Sequence, residues 1–283
     1  MDIIKSLTAA AACSLCLASG ACAAPVFVTF EAAGANAASI TPTRDAFRSA
    51  IGGGTAAGAN GSFGGLRREI NWDGVPDVRA DANPLPADFF NVNSPRGAVF
   101  STPGTGFLVS ANAGQVAPIL FGFANDFGVF SAQRLFTAVN SNTTDISFFV
   151  SGTTTAATTS AFGVVFTDVE VGNLTQVQFF DEANSLIYAR FAPTSGNQGL
   201  SFVGATVSGG AISRVRVTSG LNTIVRNGVL GNAIDDVVVM DDFIYAEPLA
   251  RQLPEPANLA LVSAALAGLL ITRRRTQRQG RQG

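Results

Sequence analysis

Residues 174–192 read LTQVQFFDEANSLIYARFA, and this stretch decides the fold. Two runs rich in Val, Phe, Ile and Tyr flank Asp181-Glu182-Ala183-Asn184, whose residue types suit a tight turn. The reading is a β-hairpin of strands 174–181 and 185–192. Downstream, residues 212–219 read ISRVRVTS. Val215 and Val217 share one face there, and Arg214 and Arg216 the other, which is the pattern of a half-buried strand. Working outward, the same signals place strands at 26–30, 98–101, 106–110, 134–139, 145–151, 160–170, 199–204 and 236–246. Gly172-Asn173 reads as a second hairpin turn. Strands at roughly 10-residue spacing imply a mainly β, antiparallel two-sheet sandwich, with a jelly roll the expected arrangement. One short helix is expected near the start, with Thr41 as N-cap, Pro42 at its first position and Gly52-Gly53-Gly54 as its stop. Phe47, Ala50 and Ile51 would share its buried side.

Composition narrows the chemistry. Between residues 25 and 253 stand 12 arginines against 18 carboxylates, and no lysine or histidine. An acidic domain without a basic stripe does not suit nucleic acid, whose phosphates need neutralising. All three cysteines (Cys13, Cys16, Cys22) precede residue 25, so this domain holds neither thiol nor disulfide. Ser-His, Cys-His, Ser-Lys and Schiff-base catalysis each need a residue type that it lacks. Carboxylates, arginines, hydroxyls and Tyr188 and Tyr245 remain.

Both ends carry export signals. Lys5 precedes an apolar run, Leu7 to Ala18, followed by Ala21-Cys22-Ala23-Ala24-Pro25. That is the form of a secretory signal over 1–24, cleaved after Ala23 or Ala24. Acylation at Cys22 is the alternative. At the other end, Pro254-Glu255-Pro256 precedes the uncharged run 257–272, and Arg273-Arg274-Arg275 follow. Sixteen helical residues span about 24 Å, short of a hydrocarbon core of about 30 Å, and flanking arginines can snorkel to offset the mismatch. The run reads as a transmembrane helix with its arginines on the cytoplasmic side. The chain thus divides into a signal (1–24), a β-sandwich (25–247), a linker (248–253) and a tail (254–283).

The ordered Pro-Glu-Pro motif, apolar helix and terminal arginines resemble the PEP-CTERM sorting signal. That resemblance implies recognition by an exosortase, a membrane-embedded sorting enzyme, after passage through the secretion machinery. It also implies a Gram-negative surface rich in exopolysaccharide. The expected location is across the inner membrane, held there by the tail, then at the cell surface or outside. Within the domain, residues 68–77, 94–97 and 238–245 resemble exported proteins that share this tail and bring no known activity.

Phe30-Glu31 and Asp241-Asp242-Phe243 resemble the first and last strands of jelly-roll carbohydrate-binding and lectin-like domains, which often share a structural calcium ion. The resemblance implies a calcium site of Glu31, Asp241 and Asp242, and oxygen-only ligands suit that ion. Strict alternation puts Val237, Val239, Asp241 and Phe243 on one face and Val238, Met240, Asp242 and Ile244 on the other. One carboxylate would then enter apolar surroundings, where a cation or an arginine, such as Arg214 or Arg216, must compensate, unless this end of the strand is exposed to water. Trp72, in Asn71-Trp72-Asp73-Gly74, has two readings, a core side chain or a glycan contact. Asp73 and Asp77 are spaced unlike an EF-hand loop, and as a glycosidase pair they lack the usual strand motif. Residues 153–160 are threonine-rich, as in a loop, an edge strand or an O-glycosylated segment.

Three functions compete. The leading one is a non-catalytic surface or matrix protein that binds exopolysaccharide. A carboxylate-dependent polysaccharide-active enzyme and a purely structural adhesive protein are the alternatives.

Overall fold

The computed structural model describes residues 24–54, 65–111, 119–123, 125–225 and 236–251. Residues 1–23 of the signal and the whole tail, with Ala23, Pro254, Glu255, Pro256 and Arg273 to Arg275, lie outside these residues, and Ala24 is exposed at the first described position. Among the described residues no helix is long and apolar enough to cross a membrane.

In chain order the strands are β1 (Val26–Gly34), β2 (Arg67–Ile70), β3 (Ala98–Ser101), β4 (Gly106–Val109), β5 (Phe136–Val139), β6 (Thr143–Phe148) and β7 (Ala157–Thr158). They continue with β8 (Ala161–Thr167), β9 (Gln176–Phe180), β10 (Leu186–Phe191), β11 (Leu200–Ser208), β12 (Arg214–Thr218), β13 (Val239–Ala246) and β14 (Leu249–Ala250). Every strand expected from the sequence has its counterpart. The first sheet runs β1-β11-β8-β13-β5-β4, with β2 also pairing β13. The second runs β10-β9-β12-β6-β3, and β14 pairs β7. All strand pairs are antiparallel, so the mainly β, antiparallel two-sheet reading stands.

Alternation builds the core. Val215 and Val217 of β12 are fully buried, while Arg214 and Arg216 are half-buried on the other face. Between the sheets, Trp72, Phe90, Phe100, Phe107, Phe136 and Phe243 form a connected aromatic cluster. Edge-to-face and offset contacts of this kind add to what area burial alone contributes. The edge strands β1 and β10 are tied across the sandwich by Thr29–Tyr188 (2.9 Å) and Glu31–Arg190 (2.6 Å).

The 181–184 turn closes the β9–β10 hairpin as expected, with Asn184 N–H donating to Asp181 C=O at 3.0 Å and Asn184 at φ 60°. Gly172-Asn173 does not close a hairpin. It lies between β8 and β9, which belong to different sheets, so this turn carries the chain across the sandwich.

Helix α1 spans Ala37–Ile51, beginning five residues earlier than an N-cap at Thr41 implied. The true N-cap is Asn36, whose side chain accepts from Ser39 N–H. The Thr41 hydroxyl instead donates to Ala37 C=O at 2.7 Å inside the helix, ahead of Pro42. Gly52 ends the helix as expected, at φ 117°. Phe47 is buried, Ile51 partly so, and Ala50 is exposed.

The helix lies on the outer face of the first sheet, where Ile40 and Phe47 pack with Val165, Phe202 and Ile244. Gly163 and Gly204 face each other across β8 and β11 and leave the hollow that the Phe47 ring fills. A Cβ on Gly163 would stand 2.8 Å from that ring.

Candidate functional site

The site begins with an extra residue in β13. Met240 pairs with Phe166 and Phe243 with Val164, so Asp241 and Asp242 together oppose Val165. This β-bulge breaks strict alternation. Val238, Met240, Phe243 and Tyr245 all face the core between the sheets. Asp242, which alternation placed on the face of Met240, is turned outward beside Asp241. Both carboxylates therefore lie on the helix side of the sheet, and neither enters the apolar interior.

The neighbours of the bulge come from three elements. Asp241 accepts from Phe130 N–H (2.6 Å) and from the Ser131 hydroxyl (2.9 Å). Arg44 of α1 approaches Asp242 Oδ2 at 4.0 Å, while its Nε donates to Asp45 at 2.8 Å. The Arg44 guanidinium lies 4.7 Å from the Phe130 ring centroid. One turn along, Arg48 pairs with Glu69 of β2, which also accepts from Arg67 at 2.6 Å. Arg44, Arg48, Glu69, Asn71, Ser131 and Asp242 line a pocket of about 370 Å³ between α1, β13 and segment 130–131.

Burial shapes the electrostatics. Asp242 is 5% exposed, and its Oδ1 accepts no N–H or hydroxyl donor among the described residues. The Asp242 charge acts on the neighbouring Asp241 carboxyl. Desolvation holds both above the usual carboxylate range, Asp241 well above it because the Asp242 charge adds to the effect. Two buried carboxyls this close resist carrying a charge at the same time. Asp73, also near Asp242, is pushed up to about 6, chiefly by burial.

The expected calcium ligands are not brought together. Strands β11 and β8 separate β1 from β13. At about 4.8 Å per strand step, Glu31 is far from both aspartates, and calcium–oxygen bonds are only about 2.3–2.6 Å long. Glu31 makes its ion pair with Arg190 at the sandwich edge. Among the described residues no group of three acidic side chains is arranged to hold a metal. The compensating arginine is Arg44; Arg214 and Arg216 both pair with Asp145 on the second sheet.

Trp72 is 1% exposed, so it is a core side chain and does not reach a glycan. It stacks on Phe136 with a centroid distance of 4.0 Å and an interplanar angle of 1°. Asp73 and Asp77 are joined through Arg134, whose backbone N–H donates to Asp73 (3.2 Å) and whose guanidinium donates to Asp77 (2.5 Å).

Sequence reasoning missed Arg44, Arg48, Phe130 and Ser131. A signal for the first two was present, since they stand four apart, one turn on a helix. Starting that helix at Thr41 left them too near its end to read as a face.

No family model matches the chain, and no curated protein matches it. Among solved structures it is similar to a Podospora anserina GH26-CBM35 β-(1,4)-mannanase at 16% identity and a TM-score of 0.26. That alignment covers 56% of this chain and 29% of the mannanase chain.

Proposed function

We propose that this chain is an exported surface protein whose β-sandwich binds exopolysaccharide without cleaving it. The observation that carries the binding half is the pocket over the β13 bulge. There a guanidinium and a carboxylate stand 4.0 Å apart beside an amide and a hydroxyl. Convergent polar groups in a concave site are how small polar ligands are oriented. The absence of histidine, lysine and cysteine between residues 25 and 253 supports a non-catalytic role. Support for export comes from the sequence: the signal over 1–24 and the PEP-CTERM-like tail over 254–283, read by an exosortase-type enzyme at the inner membrane. We further take the sandwich to be of the jelly-roll type, which its non-consecutive strand neighbours support.

The test is a glycan array of neutral and uronate-bearing polysaccharides probed with the full-length protein. Retention on at least one class, weakened by Arg44→Gln, is the expected result. No retention on any class refutes glycan binding. Shortening of the retained polymer during incubation refutes the non-catalytic reading. For the tail, removal of residues 254–283 is expected to move the protein from the membrane fraction to the soluble fraction in an exosortase-bearing host. A truncated protein that stays membrane-bound refutes sorting through the tail.

A further inference from the structure

The two sides of the sandwich are finished differently. On one side stand the edge strands β4 and β3, four residues each. Segment 81–87 covers both. Asp81 N–H donates to Val109 C=O (2.7 Å), Leu85 N–H donates to Phe107 C=O (3.0 Å), and Phe100 N–H donates to Ala87 C=O (2.9 Å). On the other side the edges are β1 and β10. Among the described residues, the backbone of β1 bonds across only to β11, and that of β10 only to β9.

An open sheet edge is a row of unmet N–H and C=O groups that another strand can use, and edges are ordinarily blunted by a bulge, a proline or a lysine. β1 has none of these. Its nine residues, VFVTFEAAG, pair with β11 in unbroken register from Val26 to Gly34. β10 is shorter, six residues, with one irregularity between Leu186 and Tyr188. Apolar side chains border this side: Val26, Val28, Leu186 and Phe191 are each at least 41% exposed.

Charge and symmetry select the partner. The domain carries an excess of carboxylates, yet β1 and β10 contribute one charge of each sign, Glu31 and Arg190, already paired. Two acidic molecules approach with least repulsion through such a neutral surface. β1 and β10 run side by side in the same direction, since Thr29 meets Tyr188 and Glu31 meets Arg190. A two-fold axis normal to the sheets therefore sets β1 against β1 and β10 against β10, both antiparallel, and extends the two sheets together.

We propose that this open side is a homodimer interface, with β1 of one protomer pairing antiparallel with β1 of its partner. Strands of nine and six residues per protomer fall short of the roughly 20–30 residues a side of a standard interface, so the dimer is weak and concentration-dependent. The proposal does not depend on the glycan reading. Its test is sedimentation equilibrium of the full-length protein in a nonionic detergent over about 1–100 μM. Wild type should pass from monomer to dimer mass as concentration rises. Val26→Lys with Val28→Lys should weaken association at least about tenfold, because like charges then meet across the axis. Its melting temperature should stay near wild type, since both side chains face solvent. Val28→Glu alone should also weaken association, which checks the result in a second variant. Val92→Lys, at an exposed position beside β3 on the covered side, should leave association unchanged. Wild type that stays monomeric across the range overturns the proposal. So does a dimer that the β1 variants leave intact, or one that Val92→Lys weakens equally.

Discussion

The indole N–H of Trp72 donates to the backbone carbonyl of Asp241 at 2.6 Å. Asp241 is the first residue of the β13 bulge, so this bond fastens the loop after β2 to the point where the last long strand departs from regular pairing. Trp72 holds φ 65°, a conformation that bulky residues rarely adopt. The stacking on Phe136 and this hydrogen bond retain it there.

Trp72→Phe should keep most of the aromatic packing and lose the donor. A buried carbonyl left without its partner costs about 1–3 kcal/mol. Urea unfolding should show a loss in that range with an unchanged denaturant slope. A loss under about 0.5 kcal/mol would mean that the bond contributes little to holding the bulge.

The connection between β8 and β9 predicts a pH effect of unusual sign. Asp168 is pushed up to about 7, first by burial and then by the charges of Glu170, Asp126 and Asp236 around it. Asp73 is pushed up to about 6. Both carboxyls hold a proton more tightly folded than unfolded, so stability falls as pH rises through these values. The protein should melt at a higher temperature at pH 5 than at pH 8. Asp168→Asn, which removes the charge, should raise the melting temperature at pH 8 and shrink the difference. Equal melting at the two pH values in wild type would refute this account.

The edge pair gives a contrasting expectation. The Glu31 and Arg190 side chains are 37% and 49% exposed, and exposed ion pairs contribute about 0–1 kcal/mol. Glu31→Gln should change unfolding free energy by less than about 1 kcal/mol. Because Glu31 is three strands from Asp241 and Asp242, wild type and variant should melt alike in chelator and in millimolar calcium. A calcium-dependent rise lost in Glu31→Gln would restore the three-carboxylate site.

Gly163→Ala should be costly for its size. The added methyl would meet the rings of Phe47 and Phe202, at 2.8 and 2.9 Å. Overpacking of this kind costs about 1–3 kcal/mol. Combining it with Phe47→Leu should recover part of the loss, since neighbours that share one hollow are not additive. Additive losses in the double variant would show that the helix does not seat on that glycine.

Much of the fold was legible because strand periodicity is a local property. The Val215/Val217 and Arg214/Arg216 alternation and the Asp181–Asn184 turn are written in adjacent residues. The sheet partners were not legible. Nothing in residues 160–180 distinguishes a hairpin from a crossing between sheets, so Gly172-Asn173 was misread. The site was legible only as an anomaly. Asp241-Asp242 in an apolar strand signalled a buried charge, but one inserted residue reverses side-chain direction, and no periodicity reports an insertion. Phe130, Ser131 and Arg44 reach the bulge through tertiary contact alone. Trp72 shows the same limit, since a lone aromatic in a Gly/Pro loop carries the same signal whether it turns inward or outward.

The position of β13 constrains the order in which the molecule can be finished. Residues 239–246 stand in the middle of the first sheet, between β8 and β5, although they come near the end of the chain. Until that stretch has left the ribosome, β8 and β5 have no common neighbour and the aromatic cluster lacks Phe243. Domains made from the N-terminus onward ordinarily begin to fold as they emerge. This one cannot close before its final long strand is delivered. The first sheet is therefore finished only when residues 239–246 join it, however early β5 and β8 are made.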